Sequence, residues 1–134
     1  MINPNLKTRI KLEIDKAEES LKASKILLTS ELFDEAVSSA YYAMFHMAKA
    51  ILLTINKETS THQGLITLFG LHFVKPNLIE EIYNDLLVEA KESREAGDYD
   101  AARKFTKEEA AEKVENAIKF NQRMLDYLKE KSFT

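Results

Sequence analysis

No cysteine occurs in the 134-residue chain, which excludes a disulfide framework, a thiol nucleophile and a thiolate metal site, so nothing in it calls for an oxidising compartment. A reducing cytoplasm is the expected setting. Glycine and proline are scarce, at 3 and 2 residues, and with 31% charged residues this composition suits long helices joined by short loops. No apolar run approaches the roughly 20 residues that span a bilayer, and Glu13, Asp15, Glu18 and Glu19 interrupt any secretory apolar segment, so no membrane association is expected. Positive charge is not in excess either. A net charge of -3 argues against broad coating of nucleic acid, which needs many cations to neutralise phosphates, and no DNA binding is expected. A small basic pocket is compatible with it.

What the chain does have is one stretch, Asp34 to Asn56, free of Gly and Pro and apolar around more than one face. Val37, Tyr41, Met44, Ala48, Ile51 and Ile55 form a stripe, with Ala40, Phe45, Leu52 and Leu53 beside it. Such a helix must be enclosed by others. An amphipathic helix precedes it, with Leu6, Ile10, Ile14, Ala17, Leu21 and Leu28 on one face, ending near Thr29; Met1 to Asn5 are expected to fray, and Ser30 is read as the N-cap of the central helix. Thr61 caps a short third helix, His62 to Phe69, which Gly70 ends, and Leu71 to Pro76 is read as irregular. Asn77 and Glu80 form a capping-box variant for a fourth helix striped by Leu78, Ile82, Leu86 and Ala90, which Gly97 stops; a loop from Asp98 to Phe105 follows. Thr106 and Glu109 make a capping box for a fifth helix carrying Ala110, Val114, Ala117, Ile118, Leu125 and Leu128. The reading is all-α: one domain over residues 1–134, an antiparallel up-down bundle of about five helices.

Local signatures of chemistry are few. The three histidines, His46, His62 and His72, stand in no zinc spacing, and there is no Gly-rich phosphate loop, nucleophile elbow or dinucleotide fingerprint, so no metal and no cofactor is expected. Tyr41, Tyr42 and Phe45 have the spacing of a stacking platform, although aromatics inside an apolar helix ordinarily pack the core; a buried tyrosine hydroxyl must still find a partner. The segment Arg94-Glu95-Ala96-Gly97-Asp98-Tyr99 places one of the chain's four arginines beside an acid and a tyrosine at a helix end. A guanidinium there either serves the helix dipole and a neighbouring carboxylate or grips a phosphate bidentately.

Taken in order, Ala36-Val37-Ser38-Ser39-Ala40-Tyr41-Tyr42-Ala43-Met44-Phe45-His46, Thr61 to Gly70 with Phe73-Val74-Lys75, and Arg94 to Tyr99 resemble the HEPN family, the higher-eukaryote and prokaryote nucleotide-binding domains. The resemblance runs from about Ala17 to Leu128, and the Ala-Tyr-Tyr-Ala-Met-Phe-His run is similar to one prokaryotic branch. It implies a helical bundle, a homodimer, and a partner of the nucleotidyltransferase family in a toxin–antitoxin pair. Many members are metal-independent ribonucleases with an Arg followed, four to six residues on, by a His. Arg94 fits the Arg position, but Tyr99 stands five residues on and no His follows; if His46 is the family's histidine, Ser39 stands where related sequences carry Arg.

Three readings follow. In the first, the chain binds nucleotide or RNA phosphate at a corner of Arg94, Asp98, Tyr99 and His62, with Asp98 orienting Arg94. In the second, it is an endoribonuclease with a degenerate motif, in which Arg94 acts with Tyr99, His46 or His62. In the third, it is a structural interaction module. A tyrosine that accepts a nucleotidyl group at position 99 is a further implication of the resemblance.

Overall fold

The computed structural model describes residues 4–99, 102 and 104–134, except the side chains of Pro4 and Tyr99. The helices are α1 (Pro4–Thr29), α2 (Phe33–Leu53), α3 (His62–Phe69), α4 (Glu81–Tyr99) and α5 (Lys107–Glu130), with a π-helical turn at Gly70–Val74 continuing α3. The described residues contain no strand.

Helix directions follow from the pairs that meet. The Ser39 hydroxyl donates to the Ser20 carbonyl at 2.8 Å, and seven residues further along α2 His46 meets Glu13, seven residues back along α1, so α1 and α2 run antiparallel. Asp34 at the start of α2 accepts the Phe105 amide before α5, while Ala43 in mid-α2 accepts from Asn121 in mid-α5, so these two run parallel. The start of α2 lies with Gly97 and Asp98 and its middle with Arg94, which turns α4 antiparallel to α2. The result is the expected up-down bundle, with α3 and the π turn closing one end.

Helix α2 packs against all four other helices and buries twelve side chains, from Ala36 to Leu53. Its neighbours supply Ile10, Ile14 and Ala17 from α1, Phe69 and Phe73 from the closing segment, Leu87 from α4, and Phe120, Met124 and Leu128 from α5. Burial of this kind is worth about 1.5–3 kcal/mol for each large apolar side chain, more than any propensity term along the helix. Val37, Phe105 and Ala110 form a smaller second cluster at the other end.

The Thr61 cap and the Thr106–Glu109 capping box are present, with Thr61 Oγ1 accepting from Gly64 N at 2.9 Å and both box bonds made. The first helix ends at Thr29 and the third spans His62–Phe69, both as expected, while the remaining boundaries differ. No glycine ends a helix by turning left-handed. The residues with positive φ are Glu31, Asn56, Asn77 and Ser132, each followed by an amide that bonds back five residues, as in a Schellman closure. Ser30 therefore lies in the closure of α1, and α2 begins after Leu32 with no side-chain cap.

Gly70 keeps helical angles and enters the π turn, where Lys75 N donates to Gly70 O at 2.9 Å. Gly97 sits inside α4, where a Cβ would come within 3.3 Å of the Phe105 ring, so close packing rather than chain reversal explains that glycine. Asn77 closes the π segment instead of capping α4, and Glu80 pairs with Arg123 of α5 at 2.7 Å, so α4 starts only at Glu81. Its buried face is Leu87 and Ala90 with Tyr83 partly covered, and Ile79 is buried just ahead of it; Leu78 and Ile82 are exposed, so the apolar stripe is rotated from the one read in the sequence. In α2, Ile55 likewise lies past the helix end and is exposed. Pro4 opens α1 as a first-turn proline, two residues ahead of the expected Leu6. Met1 to Asn3 lie outside the described residues.

Candidate functional site

Tyr41 and Tyr42 project from adjacent positions of α2 toward the last turns of α4. Arg94 lies across both, its guanidinium carbon 5.7 Å from the Tyr41 ring centroid and 5.3 Å from that of Tyr42. Each contact is a cation–π attraction, worth about 0.5–2 kcal/mol according to how dry the site is. Arg94 Nε is 3.2 Å from an Asp98 carboxylate oxygen, one turn on, yet that buried nitrogen makes no hydrogen bond. The contact is an ion pair whose direction does not make a hydrogen bond. Nε is thus left without an acceptor in a side chain that is only 17% exposed.

The Thr61 cap fixes the first turn of α3 and with it His62. The His62 ring stacks on Phe45 at 4.6 Å, stands edge-on to Tyr42 at 6.1 Å, and holds the hydroxyl of fully buried Tyr41 at 2.6 Å through Nδ1. Burial first, then the Arg94 and Lys91 cations, holds the imidazole below its ordinary value, with Glu95 opposing. Burial pushes the Tyr41 hydroxyl well above the usual tyrosine range, so it stays protonated. Lys91 and Glu95 pair with each other at 2.6 Å on the same face of α4.

Beside this cluster a cavity of about 270 Å³ opens between α2 and the end of α4, lined by Asp34, Ser38, Ser93, Arg94, Asp98 and Phe105 among others. Thus Arg94 and His62, far apart in the chain, meet through Tyr41 and Tyr42, and Asp98 stands beside Arg94. The side chain of Tyr99, also singled out in the sequence, lies outside the described residues.

His46 is elsewhere. Its Nδ1 is 2.8 Å from a Glu13 oxygen, and Lys49 approaches the other Glu13 oxygen at 3.5 Å. Ser39, two turns before His46, bonds the Ser20 carbonyl, so the Ser39–His46 register faces α1, where it joins helices. Burial raises the Glu13 carboxyl, but the His46 hydrogen bond and the Lys49 charge outweigh it and leave it below the ordinary value. A depressed folded value means stability that is present above the unfolded value of about 4.5 and is lost as pH falls through the folded one. Glu13→Gln is therefore expected to flatten the acid limb of stability below about pH 4.5, seen in denaturant melts at several pH values. An unchanged acid limb would show that the pair contributes nothing.

Among the described residues no three His, Asp or Glu side chains converge as metal ligands do, and no helix is long and apolar enough to cross a membrane. Sequence reasoning singled out Arg94 and His62 but assigned Tyr41 and Tyr42 to packing. They do pack, and they also carry the site. The requirement that a buried tyrosine hydroxyl be satisfied was the signal that could have joined Tyr41 to a histidine.

Fold and site together define a small all-α bundle with an arginine and a neutral histidine gathered on tyrosine rings. The chain belongs to the HEPN domain family, whose model matches residues 10–131. It is similar to a putative toxin of Methanocaldococcus jannaschii, 42% identical over 130 residues, or 97% of this chain and 96% of that protein. A second putative toxin of that organism is 42% identical over 97 residues, 72% of this chain and 66% of that one. A UPF0332 protein of Gloeobacter violaceus is 35% identical over 116 residues, 86% and 92% of the two chains.

Proposed function

We propose that this HEPN chain is the toxin-type member of a two-component pair, binding nucleotide or RNA through a phosphate at the corner of Arg94 and His62. The observation that carries the reading is the guanidinium of Arg94, spread on two tyrosine faces with its buried Nε lacking a hydrogen-bond partner, beside a neutral imidazole. Guanidinium and imidazole donors at one place suit an oxyanion. Asp98 steadies Arg94 from the helical turn beyond. The cytoplasm is the proposed setting, a nucleotidyltransferase-family protein the proposed partner, and a second copy of the chain the proposed companion; the similarity to proteins named as putative toxins supports a paired system.

The test is titration of the pure chain with nucleotides and short single-stranded RNA. Arg94→Ala is expected to weaken binding about ten- to a hundredfold, the range of a hydrogen bond to a charged group. Equal affinity in parent and variant would remove this corner from consideration. RNA cleavage that survives chelator and vanishes in Arg94→Ala would instead establish the nuclease reading.

A further inference from the structure

Tyr41 and His62 share one short contact, and its proton can sit in only two ways. In one, the phenol donates to a bare Nδ1, which puts the imidazole's single proton on Nε2. In the other, Nδ1–H donates to the phenolic oxygen, and then the phenol's own hydrogen needs another acceptor. Tyr41 is fully buried, and among the described residues its hydroxyl has His62 as its hydrogen-bonding partner. An unmatched buried donor is disfavoured by roughly tenfold or more, so the first arrangement wins. Charging His62 would demand the second, against the cations of Lys91 and Arg94 on α4; among the described residues the acid facing it is Glu95, which Lys91 engages. Tyr42 and Phe45, the other side chains against the ring, offer aromatic surface and no charge.

We propose that Tyr41 is a positioning residue that locks His62 in its Nε2–H form, making the corner a donor site for a phosphate oxyanion and leaving His62 unable to act as a base. The inference rests on the phosphate-binding reading above and narrows it. With Nδ1 occupied and Nε2 already protonated, the ring has no lone pair for the proton of a ribose 2′-hydroxyl. A neutral imidazole also keeps its remaining proton at neutral pH, so it supplies no general acid. What is left is a hydrogen bond to an anion, given beside the guanidinium of Arg94. The pair binds and does not cut.

The experiment is nitrogen-15 NMR of the imidazole rings in the full chain, parent and Tyr41→Phe, between about pH 5 and 8. In the parent, His62 is expected to show a bare Nδ1 and a protonated Nε2. In Tyr41→Phe its titration midpoint should rise, because a bond donated to Nδ1 favours the neutral ring and has been removed. Inorganic phosphate and a short single-stranded RNA serve as binding probes. His62→Gln, whose amide still donates, is expected to stay within about threefold of the parent, whereas His62→Ala should lose about tenfold.

A proton on Nδ1 in the parent, or a midpoint unmoved in Tyr41→Phe, would overturn the role of Tyr41. So would chelator-resistant RNA cleavage that His62→Gln abolishes. The two readings fail separately: loss of any Arg94-dependent binding with the Nε2–H form intact sinks the phosphate reading alone, while binding with the opposite tautomer sinks only the positioning.

Discussion

Phe69→Ala is expected to lower the thermal midpoint by about 10–20 °C, through a loss of about 3–5 kcal/mol at a domain of this size. The side chain is fully buried, stacked on Phe73 at 6.0 Å and tilted against Phe120 at 5.8 Å, both of them also fully buried. Phe73 in turn meets Tyr127 edge-on at 5.6 Å. These rings join α3 and the π turn to α5, alongside buried Leu65 and Ile66 and the His62 contacts to α2. Truncation removes the transfer energy of the ring and leaves a cavity whose walls, fixed on long helices, collapse incompletely. The cost is a large part of the roughly 5–15 kcal/mol that separates folded from unfolded chains. A drop below about 1 kcal/mol in denaturant melts would mean that this end of the bundle is far looser than its packing indicates.

A second large effect is expected at Asn121, and its sign depends on the replacement. The side chain is 3% exposed; Nδ2 donates to the Ala43 carbonyl at 3.2 Å and Oδ1 is buried with no hydrogen-bond partner. Asn121→Asp keeps the shape but substitutes acceptor for donor and introduces a charge among apolar neighbours. Burial of that kind raises a carboxyl pKa, so the variant's deficit grows as pH climbs past the unfolded value of about 3.9 and reaches about 3–5 kcal/mol at neutral pH. Asn121→Leu removes donor and orphaned acceptor together, and should be neutral or stabilising by about 1 kcal/mol. Paired melts at about pH 4 and 7 check both, and an aspartate variant as stable as the parent at pH 7 would contradict the burial argument.

How much of this was legible in the sequence divides along the distance between interacting residues. Caps are local, and Thr61 and the Thr106–Glu109 box declared themselves through side chains three residues from the amides they serve. The central position of α2 was also legible, because apolar residues over more than one of its faces required other helices around it. The start of α4 was not. Leu78 and Ile82 have the spacing of a buried stripe, but Glu80 is held by Arg123 of α5, a contact 43 residues away that no periodicity encodes. Glycines misled for a different reason: the helix ends use Glu31, Asn56, Asn77 and Ser132 in left-handed geometry, while Gly97 serves the approach of Phe105.

At the candidate site, Arg94 and His62 were picked out by residue chemistry, and their meeting place was hidden. Residues 41, 62 and 94 converge only once α2, α3 and α4 are packed, so Tyr41 read as core and nothing more. The expectation that family resemblance creates, the HEPN bundle, held over residues 10–131.

The π turn at Gly70–Val74 has a consequence for how such chains can vary. A π turn is a stretch of α-helix that carries one residue more than its regular ladder requires. Leu71, half exposed within it, could be lost and the ladder would simply close up, with the downstream closure at Asn77 carried back by a single step. Loss of one residue at this point is therefore expected to be absorbed by the backbone, leaving α2, α4 and the corner they share in register.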